Sequence, residues 1–384
     1  MKSVAIVSPS FYPMIGGVEG YVLGVGSELV KLGFEADVYT PEKVFGRHCG
    51  VPEETIQGIN VHRIKVPLEF SYRIKVWPGL VDALQSKRHD LIHVYSHDSY
   101  AAFALMAARR MNTPLVLTTY GPFETHSDYG PLRAGVFRIY DTVVTPRLMG
   151  RSSAVFVRYP ALEAWVESFG LPPEHIHLEP SGIPKNSLIL RRSERLRENM
   201  GGGPIILYLG RISPQKGVQY AVDSMVKISK RFPSSRMVFI GPDYTGYSSK
   251  LRERSTELGV SDNVAFLGPM EDEVEQLEAI SACDVFVMPS SFEGFSQAVM
   301  KAMAQEKPVV VTNVGGLPYE VDYGKCGRIC SYGDSNELAQ NVIEVLGEPD
   351  SAAEMARSAR ARAESFTFDR LASRLATEYS KIAG

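Results

Sequence analysis

Two doubly wound parallel sheets, an α/β fold, are what this chain predicts, and three observations carry the prediction. Short β-branched apolar runs alternate with helix-length segments along the whole chain, as in parallel sheets covered by helices on both faces. The alternation occurs twice. The length of 384 residues exceeds what one core of about 150 residues accommodates, so two domains are expected.

In the first half the expected strands are Val4–Val7, Ala36–Thr40, Leu91–Tyr95, Leu115–Thr119 and Ala154–Val157. A helix over Val18–Leu32 should stop at Gly33, placed as a C′ glycine would be. In the second half they are Ile205–Leu209, Met237–Ile240, Val264–Leu267, Val285–Met288 and Val309–Val311, with helices near 216–231, 271–282 and 294–304. The segment Ser181–Pro204, with three consecutive glycines at 201–203, reads as a hinge, giving domains 1–182 and 183–365. From Ala352 to Ala383 the tail is helical by composition. Phe366, Phe368, Leu371 and Leu375 mark an apolar face, and a helix over about 366–384 is expected to pack back on the first domain.

Composition narrows the function. Forty-one Lys and Arg against 44 Asp and Glu give a net charge of −3, which argues against a general nucleic-acid binder, since those cluster cations against phosphates. Cysteines at 49, 283, 326 and 330 lack the paired spacing of metal knuckles and read as buried small hydrophobes. The first residues hold only the short apolar run Val4–Val7, short of a signal peptide's core, and no run approaches the roughly 18 apolar residues that span a bilayer, so a cytoplasmic protein is expected.

Open α/β sheets bind ligands beyond the carboxyl ends of their strands, so chemistry is expected in the strand-end loops of two sheets facing across a cleft. After the first strand come Gly16 and Gly17 at a helix start. Bare N–H groups there suit phosphate or carboxylate oxygens, and a tight turn without ligand suits the same pair. Neither a G-x-G-x-x-G nor a P-loop occurs. After Ile205–Leu209 the loop from Gly210 to Gly217 carries Arg211 and Lys216; a fork and a point charge beside a helix start fit a diphosphate, and also fit a solvated turn. After Val285–Met288 comes Glu293, followed by Gly294, Phe295 and Ser296. Its carboxylate suits sugar hydroxyls, or simply complements the helix dipole. A fourth loop runs Asn313, Val314, Gly315, Gly316, Leu317, Pro318.

These four loops in this order, each after a strand, resemble the family 4 glycosyltransferases of GT-B architecture, two Rossmann-like domains, over nearly the whole chain. The resemblance implies retaining sugar transfer from a nucleotide-diphosphate sugar to a carbohydrate or lipid-linked acceptor, with no cofactor and no obligatory metal. It implies that Arg211 and Lys216 bind the donor diphosphate and Glu293 the donor sugar. Gly16, Gly17, Gly210, Gly294, Phe295 and Ser296 would line the donor, with Tyr12, His97 and Arg133 on the acceptor side. The alternatives are a degenerate homologue acting as a binding module, or a nucleotide-sugar epimerase of the same architecture.

Three positions depart from the family pattern. Glu-x7-Glu reads Glu293-x7-Lys301, where the second glutamate would accept from the donor ribose. Thr-x-His reads Thr118-Thr119-Tyr120, leaving Tyr120 or the nearby His126 to act near the reaction centre, with His93 and His97 as further candidates. Tyr319 intervenes before Glu320. From 131 to 160, Arg133, Arg138, Arg147, Arg151 and Arg158 face the single acid Asp141; interleaved with apolar residues, they suit peripheral contact with an anionic membrane, or a helix packed inward and interrupted by Pro146.

Overall fold

The computed structural model describes residues 2–384 apart from residues 15, 45, 71–73 and 123–130, and apart from the side chains of 131–134. The chain divides into two units, Met1–Gly182 with Phe368–Gly384, and Ile183–Thr367.

The first unit is built on strands β1 (Lys2–Val7), β2 (Phe34–Pro41), β3 (Glu53–Ile56), β4 (Ile59–Ile64), β5 (Leu91–Tyr95), β6 (Leu115–Thr119), β7 (Ala154–Val157) and β8 (Ile176–Leu178). They lie in the order β8-β7-β6-β5-β1-β2-β4-β3. All neighbours are parallel except the β3–β4 hairpin. Strand β1 lies between β2 and β5, so the winding reverses beside it and opens a crevice at the carboxyl ends. The central strands are buried on both faces, which is why they read as unbroken apolar runs. The β3–β4 hairpin and β8 escaped that reading because they alternate or are partly exposed.

Helix α1 (Gly17–Lys31) buries Tyr21, Val22, Val25 and Leu29 at helical spacing. The C-terminal helix, Phe368–Ala383, packs on it: a Cβ at Gly24 would strike the Phe368 ring, so glycine is what admits the close approach. Phe368, Leu371, Ala372, Leu375 and Tyr379 complete this core.

The second unit carries β9 (Ile205–Leu209), β10 (Arg236–Ile240), β11 (Val264–Gly268), β12 (Val285–Met288), β13 (Val309–Thr312) and β14 (Arg328–Cys330), all parallel, in the order β11-β10-β9-β12-β13-β14. Its switch point lies between β9 and β12, which brings the loops after those two strands together. Helices α2 (Val218–Arg231), α3 (Glu273–Ala282) and α4 (Gln297–Ala304) follow or precede these strands.

Three sequence expectations change. The segment 181–204 is not a free hinge from Ile183 onward: Ile183 and Met200 are fully buried, Glu194–Asn199 is a helix capped by Ser193, and the Gln305 amide donates to the carbonyls of Ser187 and Ile189. Irregular backbone there is satisfied by side chains rather than by water. The tail is two helices, Pro349–Ala363 and Phe368–Ala383, split at 364–367. Phe366 joins the second core against Phe295, whereas Phe368, Leu371 and Leu375 join the first. Finally, Pro146 does not interrupt 131–160. It sits in the first turn of Thr145–Met149, where no N–H is required, after a π-helical turn at Tyr140–Val144.

Candidate active site

The loop after β9 is held from below and from the side. Tyr208, on the strand itself, donates its hydroxyl to the Arg211 carbonyl at 2.8 Å. At Gly217, in left-handed conformation (φ 64°), a Cβ would run into the Pro289 carbonyl of the neighbouring loop. The Ser291 N–H and hydroxyl both donate to the Gln215 carbonyl at 2.9 Å. Glycine at 217 thus lets two strand-end loops touch through their backbones.

That contact brings two of the expected residues together. Lys216 Nζ lies 2.6 Å from Glu293 Oε1, both side chains largely buried, and the Ser290 hydroxyl donates to the same oxygen at 3.0 Å. The ammonium and carboxylate are therefore preplaced at the switch point, without rearranging long side chains. Arg211, on the same loop, is exposed, and none of the described residues forms an ion pair with it.

The loop after β13 fixes Glu293 from behind. The Gly316 N–H donates to the Glu293 carbonyl at 2.8 Å, and at Gly315 (φ 55°) a Cβ would collide with that carbonyl. Glu320 is fully buried and its Oε1 accepts from the Ser296 N–H at 2.6 Å, while Ser296 caps α4. Burial pushes the Glu320 carboxyl well above the usual carboxylate range, and the nearby Glu293 adds to the shift. Gly294 and Phe295 complete the loop, Phe295 leaning on Phe366 at 5.5 Å between ring centroids. Gly210, at the end of β9, donates its N–H to the Ile240 carbonyl.

Lys301 is placed differently. Its ammonium lies 2.7 Å from Glu273 Oε1 and 3.4 Å from Gln276 Oε1, so α3 brings a carboxylate beside the position where the family pattern has its second glutamate. Glu273 and Ser290 carry no sequence signal of their own. The register that aligns β12 with β13 and α3 with α4 is what selects them.

In the first unit, Gly16 is the N-cap of α1 in extended conformation, and the Glu19 carboxylate folds over it while accepting from the Ser10 hydroxyl. Gly17 begins the helix. Tyr12 is half exposed, its carbonyl bound by Arg63 at 2.6 Å. His97 is buried, with Nδ1 3.1 Å from Thr119 Oγ1 and Nε2 3.6 Å from Asp141, and it follows Ser96, whose φ of 110° is strained for a residue with a side chain. Tyr120 stands half-buried beyond β6, hydrogen-bonded to Arg158. His93 is enclosed: both ring nitrogens are bonded, to Thr118 and Tyr379, and burial lowers its pKa to about 4. It is a neutral core histidine and not a reactive one. Arg158, counted above with the basic stretch, is wholly buried. His126 and the Arg133 side chain lie outside the described residues.

The model of glycosyl transferases group 1 matches residues 192–362, and that of the glycosyl transferase 4-like domain matches residues 16–182. The chain belongs to the family 4 glycosyltransferases. It is 27% identical to mannosylfructose-phosphate synthase of Agrobacterium fabrum over 86% of this chain and 78% of that protein. It is 24% identical to D-inositol 3-phosphate glycosyltransferase of Corynebacterium efficiens over 95% and 90%. Solved structures with the same fold include sucrose-phosphate synthase from Thermosynechococcus elongatus (TM-score 0.82, 21% identity, 100% and 99% coverage) and Anabaena HepE in complex with UDP and glucose (0.76, 19%, 99% and 100%). The fold is GT-B, and as a family 4 glycosyltransferase the chain is an enzyme.

Proposed function

We propose that this glycosyltransferase moves a sugar from a nucleotide-diphosphate donor to an acceptor hydroxyl with retention of configuration, the donor resting on the second unit. The observation that carries the reading is the Lys216–Glu293 pair at the switch point of that sheet. Cleaving a glycosyl–phosphate bond places negative charge on the leaving diphosphate and positive charge on the sugar. Arg211 and Lys216 meet the first without a metal, and Glu293 the hydroxyls of the second. The UDP held by the solved HepE structure supports a nucleoside diphosphate as the probe to use.

The nucleoside is read by Glu273, with Lys301 as its tether. A thermal-shift series with UDP, GDP, ADP and dTDP tests donor binding, a ligand at about 100 times its Kd stabilising by roughly 2.7 kcal/mol. Glu273→Gln is expected to weaken the preferred ribonucleotide about 10-fold, the loss of a charge-assisted hydrogen bond. A shift confined to dTDP and indifferent to Glu273 would instead assign the site to a donor without a ribose 2′-hydroxyl.

The acceptor side includes a membrane surface. No helix among the described residues is long and apolar enough to cross a bilayer. Val136, Ile139 and Val143 are nevertheless exposed large apolar side chains on the helical stretch 131–149, beside exposed Arg138, Arg147 and Arg151. Replacing the three apolar residues by serine is expected to abolish sedimentation with phosphatidylglycerol vesicles, and equal sedimentation of both proteins would exclude this surface.

A further inference from the structure

Tyr120, Arg158 and Glu179 follow directly on three adjacent parallel strands. The register pairs the residues just before them, Thr119 with Val157 and Val157 with Leu178, and the Glu179 N–H carries the ladder one step further by donating to the Val157 carbonyl at 2.8 Å. The three side chains therefore leave the carboxyl edge of the first sheet as a row.

A guanidinium with no solvent exposure is costly unless it is paired and bonded. Arg158 meets both conditions. Its Nη1 donates to the Glu179 carbonyl at 3.0 Å and lies 3.8 Å from the Glu179 carboxylate. Its central carbon stands 4.2, 5.6 and 4.9 Å from the ring centroids of Tyr21, Tyr95 and Tyr120. Glu179 is fixed in turn: Tyr21 and Tyr95 donate to Oε1 at 2.7 and 3.2 Å, and Thr118 donates to Oε2 at 2.6 Å. With the Thr118 proton directed at Glu179, its oxygen accepts from His93 Nε2 at 2.6 Å, and His93 Nδ1 accepts from the Tyr379 hydroxyl. Each proton in this net points toward Glu179, so the carboxylate that holds Arg158 has one position.

A guanidinium can only donate. Arg158 Nη2 lies 3.0 Å from the Tyr120 hydroxyl, so the phenol oxygen is the acceptor of that bond and its own proton points elsewhere. We propose that Arg158 is a positioning residue that commits the Tyr120 hydroxyl to donate to an oxygen lone pair of the bound substrate at the carboxyl edge of the first sheet. A phenol already accepting from a cation is a polarised and stronger donor. The assignment rests on the transferase reading for the identity of the substrate; the row and its protons do not.

The test compares Tyr120→Phe, Arg158→Lys and the double variant in the full chain. Tyr120→Phe removes the donor and leaves the Arg158–Glu179 pair intact; Arg158→Lys keeps the charge and loses the fork. Each is expected to lower kcat for transfer about 10- to 100-fold, the double variant no further than either alone, with UDP affinity unchanged. Losses that multiply in the double variant, or a wild-type kcat in Tyr120→Phe or Arg158→Lys, would overturn the proposal. A 13C label at the tyrosine ring carbon bearing the hydroxyl, assigned with Tyr120→Phe and recorded without substrate, supplies the second reading. Arg158→Lys is expected to move the Tyr120 signal, and an unmoved signal overturns the coupling. If the wild-type chain transfers no sugar, the transferase reading fails separately, and this ring signal still decides whether Arg158 governs Tyr120.

Discussion

Arg211→Ala is expected to lower kcat for sugar transfer by about 100-fold or more while leaving the melting temperature unchanged. Its side chain is exposed and forms no ion pair with the described residues, so folding does not depend on it. In the proposed reaction its planar fork would meet the charge gathering on the departing diphosphate, an interaction stronger in the transition state than in the ground state. Lys216→Met is expected to cost a similar factor in rate, but with a different stability signature. It leaves Glu293, largely buried and bonded to Ser290, without its cation, and a buried carboxylate deprived of its partner is destabilising. Initial rates at saturating donor, together with scanning calorimetry on both variants, separate the two roles. A rate unchanged in Arg211→Ala would remove Arg211 from the diphosphate site, and a large fall in its melting temperature would make its role structural.

Much of this architecture was legible because parallel strands buried on both faces write themselves as apolar runs. Leu91–Tyr95, Leu115–Thr119, Ala154–Val157, Ile205–Leu209 and Val285–Met288 have the same bounds in the sequence reading and in the structure. Edge elements carried no such signal: Glu53–Ile56 is partly exposed along its length, and Arg328–Cys330 is three residues long. The loop residues Lys216 and Glu293 stood out by chemical type, and only the structure shows them in contact. Arg158 misled in the opposite way. Counting charge along 131–160 placed it on a basic face, whereas its position one residue past a buried strand, level with Glu179 on the next, puts it inside. His93 shares that logic: between Ile92 and Val94 on a fully buried strand, its partners come from β6 and from the C-terminal helix, 25 and 286 residues away, where no local pattern reaches. Charge and type are read along the chain, but burial and pairing are decided by register across it.

Removing residues 368–384 is expected to unfold the first unit while leaving the second folded. The C-terminal helix lies wholly in the first unit although it follows the second in sequence, and it fills that core rather than decorating it. Phe368 is seated where Gly24 opens α1, and Tyr21 meets it edge-on at 6.0 Å between centroids. Leu371, Leu375 and Tyr379 continue the buried stripe. Each fully buried Leu or Phe contributes about 1.5–3 kcal/mol, and a whole domain has about 5–15 kcal/mol of net stability, so losing four such side chains together removes about 6–12 kcal/mol, as much as the whole margin. The deletion also strips Tyr379 from His93, leaving a buried ring nitrogen without its donor. Proteolysis followed by mass spectrometry should then show cleavage throughout residues 2–182 and protection over 183–367, with one cooperative thermal transition in place of those of both units. A first unit that stays protected after the deletion would mean that α1 can rebuild its core without the helix, and Gly24 would lose its explanation.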